Sequence, residues 1–201
     1  MPKVKIPRKS TVVDMTAMCD VAFLLLTFFM LTSNFTAKEP VKVETPTSIS
    51  EIKIPETNIE MILIDKKGKV FFGIDGQPHR INLLNEVGKF YSIKFTPEEQ
   101  KKFSLLATFG VPISQMKAFL ALEPDKRDDS PLSRGIPCDS TDNQFKSWVH
   151  FAGLENPLLR IAIKGDKETP FPVIKKVMKT LQDLRKNRYN LITGLEEAPK
   201  D

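Results

Sequence analysis

The spacing of apolar positions changes several times along the chain, and each change marks an element. From Val12 to Ser33 the residues are apolar or small and uncharged except at Asp14 and Asp20, and Val21 to Leu31 is apolar round the whole circumference apart from Thr27. About 20 helical residues at about 1.5 Å each cross a hydrocarbon layer of roughly 30 Å. The pattern therefore predicts a transmembrane helix over 12–35 rather than an amphipathic helix of a soluble domain. Thr36 to Thr57 has Pro40, Pro46 and Pro55 among interleaved charges, which reads as an extended linker over 36–57. Within it Val41-Lys42-Val43 and Ile52-Lys53-Ile54 alternate, and either could add as a strand to a sheet edge.

Ile59 to Asp65 and Val70 to Ile74 read as two strands joined at Lys66-Lys67-Gly68 in a hairpin, followed by Leu83, Leu84, Val87 and Phe90 at helical spacing. Far downstream, Leu159, Ile161 and Ile163 alternate with Arg160, Ala162 and Lys164 in a strand. Thr169-Pro170 then opens a helix whose core stripe is Val173, Val177 or Ile174, Leu181 and Leu184. Tyr189 to Leu195 is the last strand. These elements predict a small α+β domain over 58–195, with a tail at 196–201. Between them lies a helical insertion at about 91–155, expected to be accessory. Thr96-Pro97-Glu98-Glu99 starts its first helix as a capping box with Gly110 as the stop, Ser114 to Leu122 forms a second, 124–143 a long loop and Gln144 to Ala152 a third. Phe103, Leu106, Phe119, Phe145 and Trp148 read as core or interface packing.

Composition narrows the class. At 201 residues, with 41% hydrophobic and 27% charged, the chain suits one ordinary domain plus appendages, and a mean hydropathy of −0.21 excludes a polytopic membrane protein. The net charge of +5 is spread along the chain and interleaved with acids, which argues against nucleic-acid binding. Lys3, Lys5, Arg8 and Lys9 form a basic head over 1–11 that holds the N-terminus in the cytoplasm and sends the rest of the chain outward. A cleaved secretory leader shares this head, but two acids in or beside the apolar run are foreign to it, and Phe35-Thr36-Ala37 lacks its small residue before the cleavage site. Cys19 and Cys138 fall in segments that keep them apart. No phosphate-binding glycine loop, Cys-x-x-Cys pair or zinc helix occurs, so no enzymatic, metal or cofactor site is expected, and His79 and His150 read as surface or packing residues.

Asp20 is the residue that needs explaining. An aspartate near the middle of a span costs about 2.5 to 3.5 kcal/mol on insertion scales, which makes it a functional candidate. At about 100° per residue, Thr16, Asp20, Thr27 and Asn34 lie within about 40° of one another, a narrow polar stripe that must face protein or a hydrated crevice. Asp14 lies on the opposite side, near the cytoplasmic end. Away from bulk water, the neutral and charged forms of such a carboxyl come close in energy, so it can take up and release a proton. The plainer reading is a static hydrogen bond or ion pair to a partner helix. Either needs partner helices, because one helix cannot cover the stripe.

At these residues the sequence resembles the ExbD/TolR family, small subunits of proton-driven complexes that energise the outer membrane. The resemblance rests on Val13-Asp14-Met15-Thr16-Ala17-Met18-Cys19-Asp20-Val21, the apolar run after it, and the close Phe28-Phe29-Met30. It resumes in Leu159 to Lys179, where Gly165-Asp166-Lys167-Glu168-Thr169-Pro170 is similar to the family's strand-turn-helix signature. Ala17 stands where the family usually has proline, and the region from about Phe90 to Leu154 is not covered. The resemblance implies that Asp20 carries the proton and Asp14 is the preceding cytoplasmic acid. It also implies an inner-membrane subunit of a Gram-negative bacterium, single-pass with its domain in the periplasm, that uses protons and no cofactor. Implied partners are an ExbB-like polytopic oligomer, a TonB-like protein, a second copy of the chain and, as an open point, peptidoglycan. The alternatives are a TolR-like envelope-integrity subunit, or a membrane-anchored periplasmic binding module without proton transfer. For Asp166 the residues favour a loop acid that supports the next helix over a functional contact.

Overall fold

The computed structural model describes residues 15–32, 43, 47–48, 57–127, 130–139, 142–192 and 194–195, which fall into two units, Met1–Thr36 and Ala37–Asp201. In the first unit α1 runs Met15–Thr32, 18 residues with no buried side chain. Its mean hydropathy of 1.9 and its length are sufficient to cross a membrane. The basic head, Asp14 and Asn34 lie outside the described residues.

The second unit is a mixed α+β domain built on a four-stranded sheet of order β3-β2-β4-β5. Strands β2 (Ile59–Ile64) and β3 (Val70–Ile74) form the expected antiparallel hairpin, with Ile64 opposite Val70. Its turn is held by the Asp65 carboxylate, whose Oδ1 accepts from the Lys67 and Lys69 amides at 2.8 Å each. β4 (Arg160–Gly165) runs parallel to β2, and β5 (Tyr189–Ile192) runs parallel to β4. The β4 to β5 crossover is α7 (Phe171–Asp183), which buries Val177 and Leu181 of its expected stripe and half-buries Val173, Ile174 and Leu184. Its first turn has no side-chain cap. The Thr169 hydroxyl instead donates to the Asp65 carbonyl at 3.2 Å and ties α7 to the end of β2. The linker does supply a strand, β1 (Thr47–Ser48), parallel to β6 (Gly194–Leu195). Of the two linker runs expected to pair, only Val43 is described, and it is in no strand.

Between β3 and β4 lie α2 (Gln77–Phe90), α3 (Pro97–Ser104), a 3-10 turn (Ile113–Gln115) entering α4 (Met116–Ala121), α5 (Pro124–Arg127) and α6 (Gln144–Glu155). The capping box of α3 forms as read. Glu99 N donates to Thr96 Oγ1 and Thr96 N donates to Glu99 Oε2. α3 nevertheless ends at Ser104, so Gly110 is not its stop. Gly110 lies against β3, where a Cβ would stand 2.3 Å from Phe71 Cδ1.

That approach overturns the expectation that the insertion is accessory. Phe72 N and O exchange 2.8 Å hydrogen bonds with Phe109 O and N, the Val70 carbonyl accepts from Ile136 N at 2.8 Å, and the Ile74 carbonyl accepts from Arg80 Nε at 2.7 Å. Insertion residues thus satisfy the outer edge of β3 at Val70 and Phe72. They also fill the core: Phe103, Phe109, Val111, Ile113, Met116, Phe119, Leu120 and Ile136 are buried in one cluster with Ile62, Phe72, Leu84 and Trp148. Phe109 meets the Trp148 ring edge-on at 4.7 Å and Phe103 stacks on it at 6.1 Å. The expected packing residues are buried except Leu106, which is half-buried.

Candidate functional site

α1 carries three members of the predicted stripe, Thr16, Asp20 and Thr27, over about 16 Å of rise. Asp20 is the only charged side chain in this helix. The Thr27 hydroxyl donates to the Leu24 carbonyl at 2.9 Å, and Thr32 donates to Phe28 at 2.8 Å, so both hydroxyls are satisfied within the helix. Asp20 has no such internal solution. Its carboxylate is exposed and meets no hydrogen-bond donor or cation among the described residues. In a membrane span such a carboxylate would need a donor or a hydrated path from outside the helix. Cys19, next to it, is a free exposed thiol.

The remaining candidates are in the domain. Asp166 Oδ1 accepts from Glu168 N at 2.9 Å and the Asp166 carbonyl accepts from Thr169 N at 3.0 Å, the helix-supporting role the residues favoured. His79 Nδ1 stands 3.1 Å from Glu155 Oε1, and His150 packs edge-on against Phe151. Among the described residues no group of His, Cys, Asp or Glu could hold a metal ion. Cys138 is a free, half-buried thiol whose pKa is pushed up, first by burial and then by Asp139 beside it.

Sequence reasoning missed a buried ion pair. Glu60 is wholly buried in β2, and its Oε2 accepts from Lys186 Nζ at 2.9 Å, while Oε1 has no hydrogen-bond partner. Strand alternation could have found it, because Glu60 shares its face with Ile62 and Ile64. Lys186 follows α7 in a Schellman turn, with Lys186 N bonded to the Leu181 carbonyl and Arg185 in the left-handed region at φ 57°. Its ammonium passes over Gly153, where a Cβ would stand 2.9 Å from Nζ, and also donates to the Val149 carbonyl. Burial raises the Glu60 pKa above its ordinary 4.5, although Lys186 opposes the shift. A raised carboxyl pKa favours the fold in acid. The contribution is fully present below the ordinary value and is lost as pH rises through the folded value. Lys186→Met should therefore cost about 3 to 5 kcal/mol near neutrality, with the loss shrinking on acidification. Glu60→Gln should flatten the pH dependence. Urea midpoints of both variants across pH check this, and a Lys186→Met deficit that grew in acid would contradict it.

The family model described as Biopolymer transport protein ExbD/TolR matches residues 7–196, across the insertion as well as the flanking elements. Comparison with curated proteins and with solved structures gave no match. The match takes in α1 with Asp20, the linker and the sheet together, and on that extent the chain belongs to the ExbD/TolR family of biopolymer transport proteins.

Proposed function

We propose that the chain is an ExbD-like subunit of an inner-membrane motor driven by the proton motive force, in which Asp20 carries protons and the motion is passed to TonB-dependent transport across the outer membrane. Family membership supports a part in energised transport. The observation that carries the finer reading is Asp20, the one charge of an 18-residue apolar helix, with no internal partner for its carboxylate. The membrane field acts on a charge with about 2.3 kcal/mol per 100 mV, so a carboxyl loaded from one side and emptied to the other converts the gradient into work. One helix cannot supply both half-paths. The reading therefore includes a polytopic ExbB-like oligomer around α1, and the family resemblance adds a second copy of this chain and a TonB-like protein receiving the movement, with a peptidoglycan contact left to the TolR-like alternative. The decisive test is Asp20→Asn in energy-dependent uptake. Wild-type uptake by that variant would leave a membrane-anchored binding module in its place.

The reading also places the domain in the periplasm, because Lys3, Lys5, Arg8 and Lys9 keep the N-terminus inside. A reporter active only in the periplasm should work when fused after Lys38 and fail when fused at Ser10. The opposite pattern would overturn the orientation.

A further inference from the structure

One end of the domain gathers cations round an exposed aromatic ring. The β2–β3 turn and the β4–α7 turn meet there. Asp166 N donates to the Ile64 carbonyl at 3.0 Å, Thr169 Oγ1 donates to the Asp65 carbonyl at 3.2 Å, and a Cβ on Gly68 would stand 2.9 Å from Val173 Cγ2 of α7. The 130–139 segment joins them, with Lys69 Nζ donating to the Ser133 carbonyl at 2.9 Å. These contacts bring Lys66, Lys67, Arg134, Lys167 and Lys175 to one end, all exposed. Of the acids there, Asp65 is buried with its carboxylate taken up by its own turn, Asp166 is half-buried and Glu168 is exposed, three acids to these five cations. Phe171 stands among them, 70% exposed on the first turn of α7, between Pro170 and Pro172 and four residues from Lys175.

We propose that this end docks on an anionic phospholipid surface, with Phe171 entering the headgroup boundary and the lysines over the phosphates. An apolar tip ringed by cations is the chemistry of interfacial membrane binding. Lysine, a point charge without the planar fork of arginine, suits a mobile field of phosphates better than a fixed bidentate partner. The surface is at hand: the chain between Thr32 and Asn58 keeps the domain within about 90 Å of the bilayer that holds α1, whatever path it takes. The proposal needs α1 as a membrane anchor but does not need Asp20 to carry protons.

The test uses the full chain with Phe171→Trp, reconstituted in nanodiscs of brominated phosphatidylcholine alone or mixed with brominated phosphatidylglycerol. Trp148 is wholly buried, so bromine quenching reports on the introduced indole. Recovery in the discs reports on α1 and quenching on the tip, so the two can fail separately. Strong quenching is expected in anionic discs and weak quenching in neutral ones, with loss at about 0.5 M salt as charges are screened. Each basic residue near an anionic surface is worth about five-fold in partitioning, so Lys66→Ala with Lys67→Ala should lower the docked-to-free ratio about 25-fold without shifting the thermal midpoint. Equal quenching in neutral and anionic discs, or no effect of the paired lysine changes, would overturn the proposal. So would capture of the tip by a soluble acidic glycan with no preference for anionic discs.

Discussion

Asp20→Asn should abolish energy-dependent uptake while leaving the chain at normal abundance in its membrane complex. Asparagine has nearly the same volume as aspartate and can still hydrogen-bond, but it cannot bind and release a proton near neutral pH. If Asp20 only docked α1 against a partner, the amide would serve nearly as well. If it carries the proton, the field finds no moving charge and turnover stops. Asp20→Glu should keep partial function, because the carboxyl survives but is displaced by one methylene. Asp14→Asn should be milder, since the basic head and the proposed orientation would set that acid near the cytoplasmic interface, where water would solvate it. Uptake rate at matched complex abundance is the measurement.

The second large effect concerns the insertion. Removing Thr96 to Asn143 and joining the ends with a short flexible linker should unfold the domain, not trim it. Eight buried apolar side chains would go with that segment, from Phe103 to Ile136. At about 1.5 kcal/mol each, the low end for such residues, they contribute about 12 kcal/mol, comparable with the about 5 to 15 kcal/mol that stabilises a whole domain. A point substitution tests the same contact more gently. Gly73 lies under the Ala107 carbonyl, where a Cβ would stand 2.1 Å from the oxygen and 2.9 Å from Thr108 Cγ2. Gly73→Val should push the insertion off β3 and cost about 1 to 3 kcal/mol in denaturant titration, as overpacking does. A deletion variant that melted cooperatively near the wild-type temperature would show the insertion to be dispensable after all.

The local pattern of this chain was legible where the physics is local. The run from Val21 to Leu31, the Ile59 and Val70 strands, the capping box at Thr96 and the α7 stripe all follow from period, turn chemistry and caps, and the structure has them. Gly110 misled because a glycine that ends a helix and one that admits a neighbouring backbone look the same in sequence. Only the Phe109 to Phe72 pairing tells them apart. The insertion looked accessory for a related reason: its first helix carries its own cap, while the contacts that bind the insertion to the sheet, Phe109 to Phe72 and Ile136 to Val70, join residues far apart in the chain. Lys186 was opaque because its role is set by Glu60 across 126 residues of chain. Asp20 stood out because one charge in an apolar helix is conspicuous whatever its partners are.

The two edges of the sheet are not equivalent, and this limits what the domain can build. The Val70 to Ile74 edge is occupied by the chain's own backbone and by the Arg80 guanidinium, whereas the outer side of β5 has no paired strand among the described residues. A sheet open on both sides can recruit strands indefinitely and grow into fibres, which is the hazard that covered edges remove. With one side closed, growth stops after a single addition, and a contact between like edges closes on a twofold axis. Strand addition to this sheet is thus confined, among the described residues, to its β5 side.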